Sequence, residues 1–88
     1  MLKEDIYIHS HALKHGLTEQ QIIYAWKNFV ASQPRKAPDE DKILRVGYDK
    51  NGVLIQMVAR KTNCGVLVYH AMNPPTKSVL KELKLIRR

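Results

Sequence analysis

Between Lys42 and Met72 the chain alternates apolar and polar residues in three short runs joined by turn residues. This pattern commits the middle of the molecule to antiparallel sheet. In Lys42–Tyr48, Leu44, Val46 and Tyr48 share one face, and Ile43, Arg45 and Gly47 share the other. Asp49-Lys50-Asn51-Gly52 is a hairpin turn, because Asn and Gly tolerate positive φ. The next run, Val53–Arg60, sets Val53, Ile55, Met57 and Ala59 against Leu54, Gln56, Val58 and Arg60. A second turn, Lys61-Thr62-Asn63-Cys64-Gly65, leads into Val66–Met72. That run is the most apolar, so it is expected at the centre of the sheet.

The flanks read as helix. Asp5–His15 is expected to be helical, with Glu4 and Asp5 at its positive end and Gly16 as its stop. Thr18 followed by Gln21 forms a capping box. The helix it opens carries Ile22, Ile23, Trp26, Phe29 and Val30 at spacings of three and four, which predicts that Trp26 and Phe29 are buried. Pro34 and Pro38 exclude regular helix from Ser32 to Asp41 and allow at most an edge strand near residues 30–35. Thr76 caps a last helix over Lys77–Arg88, with Val79, Leu83 and Ile86 as its buried stripe. The expected fold is α+β: two N-terminal helices, a three- to four-stranded antiparallel sheet and a C-terminal helix, in one domain over residues 1–88.

Charge divides the chain in two. Residues 1–44 carry six Lys/Arg and six Asp/Glu; residues 45–88 carry nine Lys/Arg against Asp49 and Glu82, and so hold the whole net charge of +7. A half so biased points to a polyanion or an acidic partner. Cys64 is the only cysteine, which excludes an internal disulfide and a cysteine-based zinc finger and suits a reducing cytoplasm. The N-terminal residues offer no apolar stretch for a signal peptide, and no run approaches the roughly 20 apolar residues of a membrane span. The phosphate-loop and dinucleotide fingerprints are absent, and no cofactor is implied.

Three groups of residues bear chemistry. His11 and His15 lie four apart, the spacing of a metal clamp on a helix, while His9 falls on another side. No carboxylate or cysteine stands near to complete a ligand set, so no metal is expected. The alternative is half-exposed residues, with His15 favoured near a helix C-terminus. The second group is basic: Arg45, Arg60, Lys61, Lys77, Lys81, Lys84, Arg87 and Arg88. Such side chains hold phosphate as forks and point charges; the plain alternative is a solvated surface. The third is His70, at the end of a strand. It titrates near neutral pH and can serve as acid or base. RNA cleavage without metal needs a base for the 2′-hydroxyl, cations for the phosphate and an acid for the leaving oxygen. His70 with Arg45, Arg60 and Lys77 could fill those roles, although a histidine sharing a face with Val66 and Val68 could equally be packed in the core. Tyr48 and Tyr69 could stack bases or pack cross-strand.

Several of these segments resemble BrnT-type toxins. Lys14-His15-Gly16-Leu17-Thr18 before an amphipathic helix is similar to the start of that family, and Gly47 with Gly52-Val53-Leu54-Ile55 resembles its central hairpin. Val66–Met72 ends in His70-Ala71-Met72, as in one bacterial subgroup. The resemblance runs from about Ile8 to Lys77. It implies a compact RelE-like fold, a cytoplasmic ribonuclease toxin of a type II toxin–antitoxin module acting on RNA free or on ribosomes, and a small DNA-binding antitoxin as partner. A homodimer is compatible with it. The family's basic residue opening the first long strand matches Lys42. Its arginine after the last strand falls at Met72, and Lys77 stands in from the next turn. The expected site is then His70 and Lys77 at the scissile phosphate, with Lys42, Arg45, Arg60, Lys61, Lys81 and Lys84 holding RNA. The alternative is a non-catalytic basic module that binds nucleic acid or an acidic antitoxin segment.

Overall fold

The computed structural model describes residues 5–85. Along the chain come β1 (Asp5–Ile8), a 3-10 turn (Ser10–Leu13), α1 (Glu19–Lys27), β2 (Phe29–Pro34), β3 (Lys42–Tyr48), β4 (Leu54–Lys61), β5 (Gly65–Met72) and α2 (Lys77–Glu82). All strands join one five-stranded sheet in the order β1-β5-β4-β3-β2. β1 runs parallel to β5, and the other neighbours are antiparallel.

This corrects the expected α+β fold class. The molecule is a mixed α/β domain, mostly strands, with two α-helices among the described residues. The expected layout of two N-terminal helices on a three- to four-stranded antiparallel sheet, and the RelE/BrnT-like architecture it carried, do not describe it. The difference starts at the N-terminus. Asp5–Ile8 alternates, with Ile6 and Ile8 packed against the core and Asp5 and Tyr7 exposed, the period of a half-buried strand. Ile and Tyr are weak helix formers, and the edge of β5 offers a row of backbone partners. Register runs Asp5↔Gly65 to Ile8↔Val68, and the His9 amide extends it by donating to the Val68 carbonyl at 2.8 Å. Pairing across the chain therefore overrides a local helix signal. What remains of the helix is a single 3-10 turn, closed by His9 Nδ1, which accepts from the His11 amide at 3.0 Å. β5 is consequently interior but not central: β4 is the middle strand.

α1 forms as expected from its cap. The Thr18 hydroxyl accepts from the Gln21 amide at 3.1 Å, and the Gln21 side chain accepts from the Thr18 amide at 2.8 Å. Ile22, Ala25 and Trp26 are buried against Ile55, Met57 and Ala59 of β4 and Val66, Val68 and Ala71 of β5. Gly47 permits this seat. A Cβ there would collide with the Ala25 carbonyl, so the helix rests directly on the β3 backbone. The helix stops at Lys27, and Asn28 closes it by donating from its backbone and side chain to the Tyr24 carbonyl, at 3.0 and 2.9 Å. Phe29 then starts β2 instead of extending the apolar stripe, and it is 45% exposed. The expected burial of Phe29 is overturned by this change of period from helix to strand; Trp26 is buried as expected.

A second, smaller core lies on the opposite face of the sheet. Leu44, Val46 and Leu83 are buried there, flanked by Leu54, Val58 and Val79. α2 is held over this patch by Thr76. Its hydroxyl accepts from the Val79 amide at 3.3 Å, and its own amide donates to the buried Gln56 Oε1 at 2.9 Å. The helix is shorter than expected, and the expected stripe residue Ile86, with Arg87 and Arg88, lies outside the described residues. Pro34 closes β2 on the outer edge of the sheet, where its missing donor leaves nothing unpaired.

Candidate nucleic-acid interface

α2 covers only part of its face, and the uncovered part carries the charge. Leu44 pairs with Val58 beneath α2; two residues further along each strand, on the same face, Lys42 pairs with Arg60. Arg60 in turn pairs with Leu67, and Leu67 with Tyr7. Lys42, Arg60, Leu67 and Tyr7 thus form one row across β3, β4, β5 and β1. A groove of about 330 Å³ opens along it, lined by His9, Lys42, Arg60, Leu67 and Tyr69. Each contribution follows from the pleat: alternate residues of β3, β4 and β5 face the same way, so Lys42, Arg60 and Leu67 fall together.

The two cations of the groove are held by the acidic loop before β3. Lys42 Nζ lies 3.2 Å from Asp39 Oδ1, and Arg60 Nε lies 3.4 Å from Asp41 Oδ2. Asp41 is fixed in place because its carbonyl accepts from the Lys61 amide at 2.7 Å. Exposed pairs of this kind contribute about 0–1 kcal/mol, so a phosphate can displace them. His9 presents its other ring nitrogen, since Nδ1 is engaged by the His11 amide. Tyr7 is 48% exposed, and its hydroxyl meets the Cys64 thiol at 3.6 Å. That hydrogen bond, with the nearby Cys64 and Asp5, raises its pKa, so the phenol stays neutral.

β5 bulges opposite Val58 and Ala59, which makes room for one extra residue. Tyr69 lines the groove, and the next residue, His70, pairs with Val58. The His70 ring meets His15 edge to face, with centroids 5.9 Å apart. Burial, and secondarily the His15 charge, lower the His70 pKa, so the ring is neutral at pH 7 and able to accept a proton.

The site expected from sequence is only partly assembled. Lys42 and Arg60 come together; Lys61, exposed at the end of β4, pairs with Val66 on the other face and does not line the groove. Arg45 does not join them. It points to the opposite face, where its guanidinium lies 4.0 Å from the ring centroids of both Trp26 and Phe29 and donates to Ser32 Oγ and the Trp26 carbonyl, at 3.0 and 3.1 Å. The alternation of β3 assigns it to that face. Lys77 and Lys81 are exposed on α2 and Lys84 just beyond it; none of the three lines the groove. His11 and His15 do not share a helix face, because no α-helix forms there; His11 meets His9 instead, at 4.8 Å between centroids. Tyr48 is exposed at the far end of β3, away from the groove. Tyr7 and His9 were hidden from sequence reading by the helix assigned to them. The alternation of Asp5–Ile8 was the available signal.

A second cluster serves stability. Asp49 is buried at the hairpin turn and accepts from the Asn51 and Val53 amides, each at 2.8 Å, and from Gln21 Nε2 at 3.0 Å. The bond from Gln21 is the main cause that lowers its pKa, followed by the backbone bond from Val53. A depressed carboxyl contributes stability above the unfolded value of about 3.9 and loses it as pH falls through the folded value. Asp49→Asn should therefore melt below the wild type at pH 6, and the gap should close on acidification below about pH 3.9. Melting curves across pH check this; a constant gap would exclude the carboxylate as the source.

No helix among the described residues is long and apolar enough to cross a membrane, and no three of their His, Cys, Asp and Glu side chains gather into a metal-holding group. No family model matches the chain, and no curated protein or solved structure matches it.

Proposed function

We propose that this chain binds single-stranded RNA in the groove of the open sheet face and cleaves it without a metal, as a ribonuclease toxin. The observation that carries the reading is the groove itself, which brings Lys42, Arg60, His9 and Tyr69 together. Lys42 and Arg60 neutralise the phosphate. His70, next in sequence to the groove-lining Tyr69 and neutral at pH 7, accepts the proton of the 2′-hydroxyl. The 2′-oxygen attacks phosphorus, the bond to the 5′-oxygen breaks, and that oxygen takes a proton from water. The products are a 2′,3′-cyclic phosphate and a 5′-hydroxyl. The residues resembling BrnT-type toxins extend the proposal to a cytoplasmic setting and a small DNA-binding antitoxin as partner. Purified protein incubated with RNA at low salt and excess chelator should yield those two end groups. Intact RNA, free or on ribosomes, would leave only the second reading, a non-catalytic RNA-binding module. The contact of His70 with the His15 ring favours that reading, because it takes up part of the imidazole's surroundings.

The acidic loop makes a further result expected. Asp39 and Asp41 compete with phosphate for Lys42 and Arg60. The double variant Asp39→Asn, Asp41→Asn should bind an RNA oligomer roughly three- to tenfold tighter at low salt, with a steeper dependence of affinity on salt. Unchanged affinity and slope would show that the groove cations do not meet phosphate.

A further inference from the structure

We propose that Tyr7 and Tyr69 form a stacking platform for two bases of single-stranded RNA, beside the phosphate-holding cations. The inference rests on the reading of the groove as an RNA site and adds what the groove selects. Tyr7 shares its row with Leu67, Arg60 and Lys42, so its ring stands on the same open face as the groove. Tyr69 lines the groove itself, brought there at the bulge in β5. The two rings therefore flank Leu67 on adjacent strands, with the cations to one side. Aromatic rings exposed on neighbouring strands of a basic sheet face stack unpaired bases, and such stacking tolerates any sequence because every base has a π-face. An acidic protein segment would use the cations but has no need of two rings. A duplex keeps its bases stacked internally and cannot use them either.

Tyr7 is suited to the task. Nearly half its surface is free, and its hydroxyl is tethered to the Cys64 thiol, which restricts the ring before RNA arrives. Restricting a side chain in advance lowers the entropy lost on binding. Leu67 between the rings supplies an apolar floor, and α2 bounds the face on the side away from Tyr7.

The test is equilibrium binding of labelled, uncleavable 2′-O-methyl RNA hexamers at low salt. One hexamer carries bases; a second has the same phosphates and no bases. The wild type should bind the base-bearing hexamer at least about tenfold tighter. Tyr7→Leu and Tyr69→Leu should each lose about five- to 100-fold on the base-bearing hexamer and nothing on the abasic one. Tyr7→Phe and Tyr69→Phe, which keep the ring, should each lose less than the matching leucine variant, with Tyr7→Phe, which gives up the tether to Cys64, losing the more of the two; thermal melts of all four variants control for folding. Equal losses on both hexamers, no loss on either, or equal affinity for a matched duplex would overturn the platform while leaving salt-dependent RNA binding in place. A wild type that binds neither hexamer in a salt-dependent way would remove the groove reading and the platform together.

Discussion

His70→Ala should lower RNA cleavage by about 100-fold or more, the usual contribution of a positioned general base, while leaving affinity for an uncleavable oligomer unchanged. The two readouts separate chemistry from binding, because His70 accepts a proton in the proposed reaction and Lys42 and Arg60 hold the phosphate. The wild-type rate should also rise with pH through the His70 pKa and level off above it. Burial and the His15 charge place that rise below the ordinary histidine value of about 6.5. His70→Ala should erase the rise. Cleavage that persists with the same pH profile would show that another group is the base. The same depressed pKa has a consequence for stability. His70 contributes stability that is present above about pH 6.5 and lost as pH falls through its lower folded value. Wild-type melting temperature should decline across that window more than that of His70→Gln.

The largest stability loss is expected for Trp26→Ala, about 3–5 kcal/mol. The indole is 1% exposed and sits among Ile22, Met57 and Val68 in the main core. It is also one side of a sandwich: the Arg45 guanidinium stacks on Trp26 and Phe29, 4.0 Å from each ring centroid. Removing the ring opens a cavity and strips a half-buried cation of one aromatic face. Small domains have only about 5–15 kcal/mol in total, so the variant should melt roughly 15 °C or more below the wild type. Phe29→Ala removes the other, exposed ring and should cost no more than about 1–2 kcal/mol. Thermal melts of both variants decide the matter. Comparable losses would mean that the sandwich, and not core burial, carries the effect.

The contrast between these two rings shows how far sequence reaches. Trp26 and Phe29 are three residues apart and look equivalent on a helical wheel. They part because Asn28 closes α1 and the chain changes period before Phe29. The hairpins of β3, β4 and β5 were legible because alternation and turn residues are properties of neighbouring positions. So was the capping box, whose two hydrogen bonds span only three residues. The N-terminal strand shows in the sequence only as the brief alternation of Asp5–Ile8, which a helix signal masks. Nothing within Asp5–Ile8 reveals that the edge of β5 is free to receive it.

The candidate site divides along the same line. The register of β3 with β4 is what turns Lys42 and Arg60 to one face; sequence alone determined the basic half and the presence of His70 near the end of a strand. It also determined that Arg45 lies on the other face of β3, although its role was read differently. Tertiary structure alone decided which side of the sheet stays open, because that depends on how far the short α2 reaches from its anchor at Gln56. It also decided that Tyr7 and His9 stand at the groove, because the parallel pairing of β1 with β5 joins residues about 60 positions apart. Periodicity is encoded in adjacent side chains. The meeting of distant strand edges is settled by backbone hydrogen bonds that all residues share, and these leave little trace in composition.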